Sequence, residues 1–409
     1  MNATVTAASV PGVGGPQSNA ATAGQRTLSF DQASHRGSEL SQSYANVQLG
    51  GAALGTNTVT VGNGPISILP QGFMRGILVD LATTTAATGG TPAGNADFPF
   101  SIVNLLRLHD TNGATMHEHN GYLNYLLNLF GGTIGEVSDL SQWPDYSASA
   151  TSPSCQWYLP VELDPDGFGA LANQSAADTY KLDLILDSPG NVYTTAPTTT
   201  EPVFAINIYC DYWTLPGATD MLGRPQQQEP NFHGVAQYSY MSTANSFSAG
   251  QGTLKVGYTG NMYRLLICVG RAAGTGYATG GARTASALPN PATLRYDTRD
   301  LFITTLRDNR RYWYSELNTP ATTFLTGVMA WFWNYGKSRR AGGSPAGFSS
   351  WLPTLPATRF EITGTYGAGT VDYIANTVSV AETNPALRGV SPSATGYSPP
   401  VAATVPGAQ

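Results

Sequence analysis

Between Gln71 and Gly132 the apolar side chains follow first a strand period and then a helical one. Gln71-Gly72-Phe73-Met74-Arg75-Gly76 leads into Ile77-Leu78-Val79-Asp80-Leu81, and a threonine-rich turn follows at Thr83, Thr84 and Thr85. Phe100 to His109 is a second strand-like run. It is closed by Asp110-Thr111-Asn112-Gly113, residue types that tolerate left-handed backbone. Over Asn120 to Phe130 the period lengthens, and Tyr122, Leu126, Leu129 and Phe130 share one face of a predicted helix. Gly131-Gly132 ends it, since glycine closes a helix without steric cost. Strands with a short helix in a long connection point to a β-sandwich.

The same grammar extends in both directions. Residues 1–26 hold almost no bulky side chain and cannot offset the entropy of ordering, so they are expected to be a flexible arm. Residues 27–50 carry only isolated large residues (Leu28, Phe30, Leu40, Tyr44) and read as an arm that orders against something else. The first domain is placed at 57–215, after an arm at 1–56. Thr58 to Val61 and Ile66 to Leu69 open it. Ser154 to Leu163 is a strand interrupted by Pro160, hence near an edge or bulge. Asp164 to Asn173 reads as a short helical turn. In Tyr180 to Asp187, Tyr180, Leu182, Leu184 and Leu186 alternate with Lys181, Asp183 and Asp187, a half-buried antiparallel strand. Val203 to Leu215 is the last strand of this half.

Residues 216–230, with three prolines and a glutamine run, form the predicted linker, and the second domain spans 231–382. Its strands are Gly234 to Met241, a long strand or bent pair over Thr253 to Val269, Val328 to Trp333, Arg359 to Thr363 and Val371 to Val380. A helix is expected over Asp300 to Leu317, because Phe302, Leu306, Trp313 and Leu317 have helical spacing. Residues 383–409 are again Pro, Gly, Ser and Ala, a flexible C-terminal tail. The architecture is all-β: two tandem sandwiches with short helices in the long connections, flanked by flexible N- and C-terminal arms.

Composition adds one feature. Of 409 residues only 11% are charged, far below the ~25% of an average soluble protein. Gly, Ala, Thr, Ser, Asn and Pro replace the missing charge. Two readings stay open: large self-contacts, where unpaired buried charge is costly, or simply a turn-rich β protein. The net charge of −6 does not fit a sequence-wide grip on nucleic acid, which needs a basic surface, so no direct nucleic-acid binding is expected. Arg310-Arg311 and Arg339-Arg340 are short, isolated pairs. Cys155, Cys210 and Cys268 are far apart in apolar runs and read as buried free thiols, which fits folding in a reducing compartment. No stretch reaches the ~18 apolar residues of a membrane span, and the N-terminus does not read as a signal peptide.

Candidate chemistry is sparse. His109-Asp110 and His117-Glu118-His119 are the densest set of metal-ligand types, and H-x-H can place two imidazoles on one face of a strand. The glutamate and second histidine motif that a cupin adds are missing, so a polar turn and helix cap is the competing reading. No nucleophile elbow, phosphate loop or zinc motif is present. Gly274-Thr275-Gly276 and Gly280-Gly281 lack the strand-to-helix context of a phosphate site. The carboxylate pairs Asp164/Asp166 and Asp297/Asp300 are no denser than chance among 26 acids. Trp331, Phe332 and Trp333 could form a sugar-binding face, but strand alternation must send some of them inward. We therefore assign no catalytic, cofactor-binding or metal-ligating residue, expect no cofactor, and do not expect an enzyme.

An ordered series of segments resembles the major capsid protein of tailless, internal-membrane-containing bacteriophages of the tectivirus type. Gly72-Phe73 through Leu81, Asp97-Phe98-Pro99 into Ile102-Val103, Asp110 to Gly113 and His119-Asn120-Gly121 carry the first part. Trp157 to Val161, Gly169 to Asn173 and Lys181 to Leu184 continue it. So do Asn261 to Leu265, Tyr296 to Arg299, and the arginine-bearing helix running into Thr326-Gly327-Val328. The series spans roughly residues 60–380. The resemblance implies a double jelly roll and a homotrimer of pseudo-hexagonal outline. It further implies an icosahedral shell over an internal membrane, penton or minor capsid proteins as partners, and residence in the virion after synthesis in the host cytoplasm. In that family the N-terminal segment lies near the membrane; here residues 1–26 have no amphipathic period. Two other classes compete: a tandem β-sandwich carbohydrate-binding or adhesin protein, and a jelly-roll polysaccharide-cleaving enzyme.

Overall fold

A computed structural model of the chain describes residues 30, 32–131, 139–163, 169–215, 235–272, 282–317, 325–333, 351–356 and 358–380. The predicted linker at 216–230, the N-terminal stretch 1–26 and the tail 383–409 lie outside them.

The first half contains β1 (Arg36–Gln48), β2 (Val59–Thr60), β3 (Ile66–Ser67), β4 (Phe73–Thr85), β5 (Val103–His109) and β6 (Thr115–His119). Helix α1 (Gly121–Gly131) follows, then β7 (Cys155–Pro160), β8 (Leu171–Ala172), β9 (Lys181–Leu186) and β10 (Val203–Trp213). One sheet has the order β1-β10-β4-β7, with β8 extending it against β4. The facing layer runs β6-β5-β9, with β2 and β3 both on β9. The second half contains β11 (Val235–Phe247), β12 (Gly250–Lys255), β13 (Met262–Ala272), β14 (Ala292–Tyr296) and β15 (Arg299–Thr304). Helix α2 (Leu306–Leu317), β16 (Val328–Phe332), β17 (Phe360–Tyr366) and β18 (Gly369–Val380) complete it. Its layers are β11-β18-β13-β16 and β12-β17-β14-β15.

The two halves are wound alike. In each, the first strand pairs with the last, the last pairs with a mid-chain strand, and a helix follows the end strand of the second layer. Both are jelly rolls, and the chain is a double jelly roll. They share one sheet. Strand β6 pairs in parallel with β11, which fuses a layer of each barrel, together with the short strand Leu352–Pro353 on β13, into a ten-stranded sheet. Barrel one packs on one face of that sheet. Leu106, Leu108, Leu182 and Leu184 meet Ile77, Val79, Ile206 and Ile208 there. Barrel two packs on the other face, where Tyr263, Leu266, Cys268 and Ala375 meet Leu294, Phe360 and Ile362. The opposite side of barrel two's strands (Leu265, Ile267, Val269, Ile374) joins the first core through α1 and Trp313 of α2. Strand alternation thus gives one set of strands two cores.

Several expectations change. Residues 36–48 fall in the expected arm, yet they form β1, paired with β10. Register slips between Leu40 and Gln42 and between Tyr44 and Val47 break the alternation that would have revealed a strand. Leu171 and Ala172, expected in a helical turn, pair with β4; residues 164–168 lie outside the described set. Thr253 to Val269 divides between β12 and β13, which belong to different sheets. The helix expected from Asp300 begins at Leu306. Arg299–Thr304 pairs with β14, and Thr305 Oγ1 accepts from Asp308 N at 3.2 Å as the helix cap. Pro160 does fall on the edge strand β7. Gly72 takes φ +42° where an added Cβ would strike the Trp213 carbonyl, so only glycine admits the chain to β4 there.

Candidate functional site: the seam between the barrels

The seam is built from side chains that each half lends to the other. At its centre Ser239 lies beside His117, and Tyr240 beside Glu118. Gln237 of β11 donates through Nε2 to the carbonyls of Pro160 (2.8 Å) and Glu162 (2.9 Å), so barrel two satisfies the end of β7. Tyr240 Oη donates to the Thr115 carbonyl at 3.1 Å. Helix α1 is buried along its whole length, more than the single apolar face expected, because barrel one covers one side and β13 and β18 the other. Asn120 Oδ1 accepts from Leu123 N at 2.8 Å and caps its start. Arg264 of β13 donates to the Gly131 carbonyl at 2.9 Å, placing a cation on the negative end of the helix dipole.

A buried ionic cluster bridges the same boundary. Arg271 of β13 contacts Asp97 of barrel one at 2.8 Å and Asp372 of β18 at 2.6 Å. Arg283 lies 2.8 Å from Asp97 Oδ1, as an ion pair rather than an aligned hydrogen bond, and donates to Tyr122 Oη and the Ala96 carbonyl, both at 2.7 Å. Its guanidinium stands 4.8 Å from the Tyr122 ring centre. The two aspartates keep Arg271 charged against the cost of its burial. Sequence reasoning did not find this cluster. Its signal is an arginine inside a long apolar run of a chain poor in charge.

The histidine set does not converge. Alternation along β6 sends His117 and His119 into the core and Glu118 outward. Their rings are 5.7 Å apart, and Asn124 Nδ2 lies 3.3 Å from His119 Nδ1. Burial pushes His117 down to about 3. It also holds His119 well below the usual range, with His117 adding to the effect. His109 instead pairs with Asp183 at 2.9 Å on the outer face, beside the Arg107–Glu118 pair at 3.2 Å. Among the described residues no three His, Cys, Asp or Glu side chains group as a metal site. Asp300 pairs with Arg295 at 2.8 Å, while Asp297 accepts from Arg359 N at 2.7 Å. Asp164, Asp166 and the glycines at 274–276 and 280–281 lie outside the described residues, as do Arg339 and Arg340. Trp331, Phe332 and Trp333 are all buried: Trp331 and Trp333 in barrel two's core, Phe332 in the shared one. They form no sugar-binding face. The three cysteines are buried and free.

No protein-family profile matches the sequence, and no curated protein is similar to it in sequence. Solved structures do match the fold. The major capsid protein of STIV superposes with a TM-score of 0.56 at 16% identity, over 85% of this chain and 97% of that one. An atomic structure of Sulfolobus Turreted Icosahedral Virus gives 0.55 at 14%, over 88% and 97%. PBCV-1 VP54, fitted into a reconstruction of the virophage Sputnik, gives 0.52 at 12%, over 88% and 95%. At such identities the likeness is one of fold, and it runs through both barrels.

Proposed function

We propose that the chain is a structural virion protein, the major capsid subunit of a virus. One observation carries this reading: the double jelly roll coincides with 97% of the STIV capsid protein, so the whole subunit is matched and not one barrel. The seam supports it. The buried salt bridges, the shared sheet and the capped helix join two barrels into one block that can act as a rigid tile.

In this reading the unit of assembly is a homotrimer. Three copies place six similar barrels around a three-fold axis and give a pseudo-hexagonal outline, and closed cyclic symmetry leaves no open growth edge within the unit. Such capsomers tile an icosahedral shell over an internal membrane, with penton or minor capsid proteins closing it. Residues 216–230 are proposed as the boundary between the barrels. The role is structural, not catalytic. Electron microscopy of the purified protein tests it: particles with three-fold symmetry and a hexagonal outline are expected. Monomers, or open filaments alone, would contradict it.

A further inference from the structure

The seam inside the chain joins two particular edges, and among the described residues the counterparts of both end their sheets. Barrel one contributes β6, the strand before its helix; barrel two contributes β11, its first strand. In barrel two the strand before the helix is β15, which ends its sheet with β14 as its one neighbour among the described residues. In barrel one the first strand is β1, which ends its sheet with β10 as its one described neighbour.

The counterparts agree in detail. Asn120 caps α1 and Thr305 caps α2, each accepting from the backbone N–H three residues on. Strands β1 and β11 share a bulge, with slips between Tyr44 and Val47 and between Ser242 and Asn245. In it, Asn46 (φ 58°) and Ala244 (φ 59°) are left-handed. Counting back from the caps, Phe302 and Ile303 occupy the positions of His117 and Glu118. Counting back from the shared bulge, Gln42 occupies the position of Tyr240; a second bulge, absent from β11, then puts Leu40 at that of Ser239, while Ser41 Oγ accepts from Leu69 N at 2.9 Å.

The flanking surfaces are complementary as well. Inside the chain, α1 lies on the outer face of β13 and β18. The equivalent face of barrel one, on β4 and β10, shows Leu78, Asp80, Tyr209 and Asp211 half-exposed. Among its described residues, helix α2 shows Arg307, Arg310 and Arg311 exposed against one exposed carboxylate, Asp308, which Thr305 Oγ1 holds at 2.7 Å in the cap. Ile303 is 70% exposed beside an apolar pocket of about 190 Å³ that includes Phe302, Tyr312, Trp331 and Phe332, and Leu40 on β1 is 45% exposed. Apolar edge residues with unpaired backbone are a template for another strand.

We propose that β15 of one copy pairs in parallel with β1 of a second copy, Ile303 beside Gln42, while the arginines of α2 lie on the acidic outer face of β4 and β10. This surface rests on the capsid reading above and names the partner face within its trimer. The contact is heterologous, with different patches on its two sides, so it closes a ring when the rotation matches the step between barrels. Repeating the intrachain step between chains makes six barrel steps from three copies.

The test introduces Ile303→Cys together with Ser41→Cys, Gln42→Cys or Ser43→Cys in the full chain. Cys155, Cys210 and Cys268 are buried and do not compete. After mild oxidation at least one double variant should run as a covalent trimer without reductant, while each single variant stays a monomer on the gel. Charge reversal gives a second readout. Arg310→Glu should weaken trimer association at least tenfold, and adding Asp211→Arg should restore most of it. Trimer mass by light scattering with no cross-link in any double variant and no rescue would overturn this surface and leave the capsid reading standing. A folded monomer at all concentrations would overturn both.

Discussion

At the residue scale the seam stores charge in two opposite ways. Arg271 is charged and paired on both sides, so its removal leaves Asp372 buried without its cation and Asp97 with Arg283 alone. Arg271→Ala should cost about 3–5 kcal/mol, the range for breaking a buried pair from one side, read as a lower urea midpoint. His117 and His119 are instead buried neutral: burial alone lowers His117, and burial together with His117 lowers His119. Leu106, Leu108 and Ser239 flank them on the adjoining strands, and Asn124 on α1. The unfolded chain titrates these imidazoles near 6.5, far above His117's folded value of about 3. Below 6.5 the unfolded state therefore binds more protons, and stability falls as pH drops toward that folded value. Each imidazole contributes ~1.4 kcal/mol per pH unit in this window. His117→Gln should make the stability lost between about pH 6.5 and pH 5 smaller by ~2 kcal/mol. An unchanged pH slope in urea titrations would contradict the buried neutral state.

At the element scale the two helices are equivalent in place and different in burial, and that difference reports what covers them. Asn120→Ala removes the cap of α1 and should cost about 1 kcal/mol. Gly121→Ala should cost more, because its Cβ would strike the Phe100 carbonyl and the Trp157 indole, neither of which can swing aside. Chemical denaturation of the two variants, ranked in that order, checks both. The strands with plain alternation, such as Lys181–Leu186 with its alternating burial, were legible in the sequence. So was α1, through its change of period. Strand β1 was not, because its two bulges shift Leu40, Tyr44 and Val47 out of phase. Strand β15 was hidden because Phe302, Leu306 and Trp313 happen to keep helical spacing across a strand–helix junction. The Thr305-x-x-Asp308 pair was the available signal for the true start. The seam was illegible for a more general reason. Arg271, Asp97 and Asp372 meet only because two barrels share a sheet, and no local period encodes a contact between residues so far apart.

At the scale of the whole molecule, one hydrophobic core runs from barrel one through α1 to the strands of barrel two. The halves should therefore unfold together. Tryptophan fluorescence and far-ultraviolet circular dichroism should give coincident transitions, and two well-separated steps would show the barrels to be independent. The low charge content has a counterpart here. Among the described residues, β15 and β1 each end a sheet, an apolar pocket lies beside Ile303, and the carboxylates on β4 and β10 answer the arginines of α2. An obligate contact of this kind buries more than ~2,000 Å² and makes stability depend on protomer concentration. The most direct test of the capsid reading is the mass of the purified protein by light scattering coupled to gel filtration, at micromolar concentration and in moderate salt. The account predicts three times the 43.0 kDa chain mass. A stable monomer or dimer across that range would contradict it.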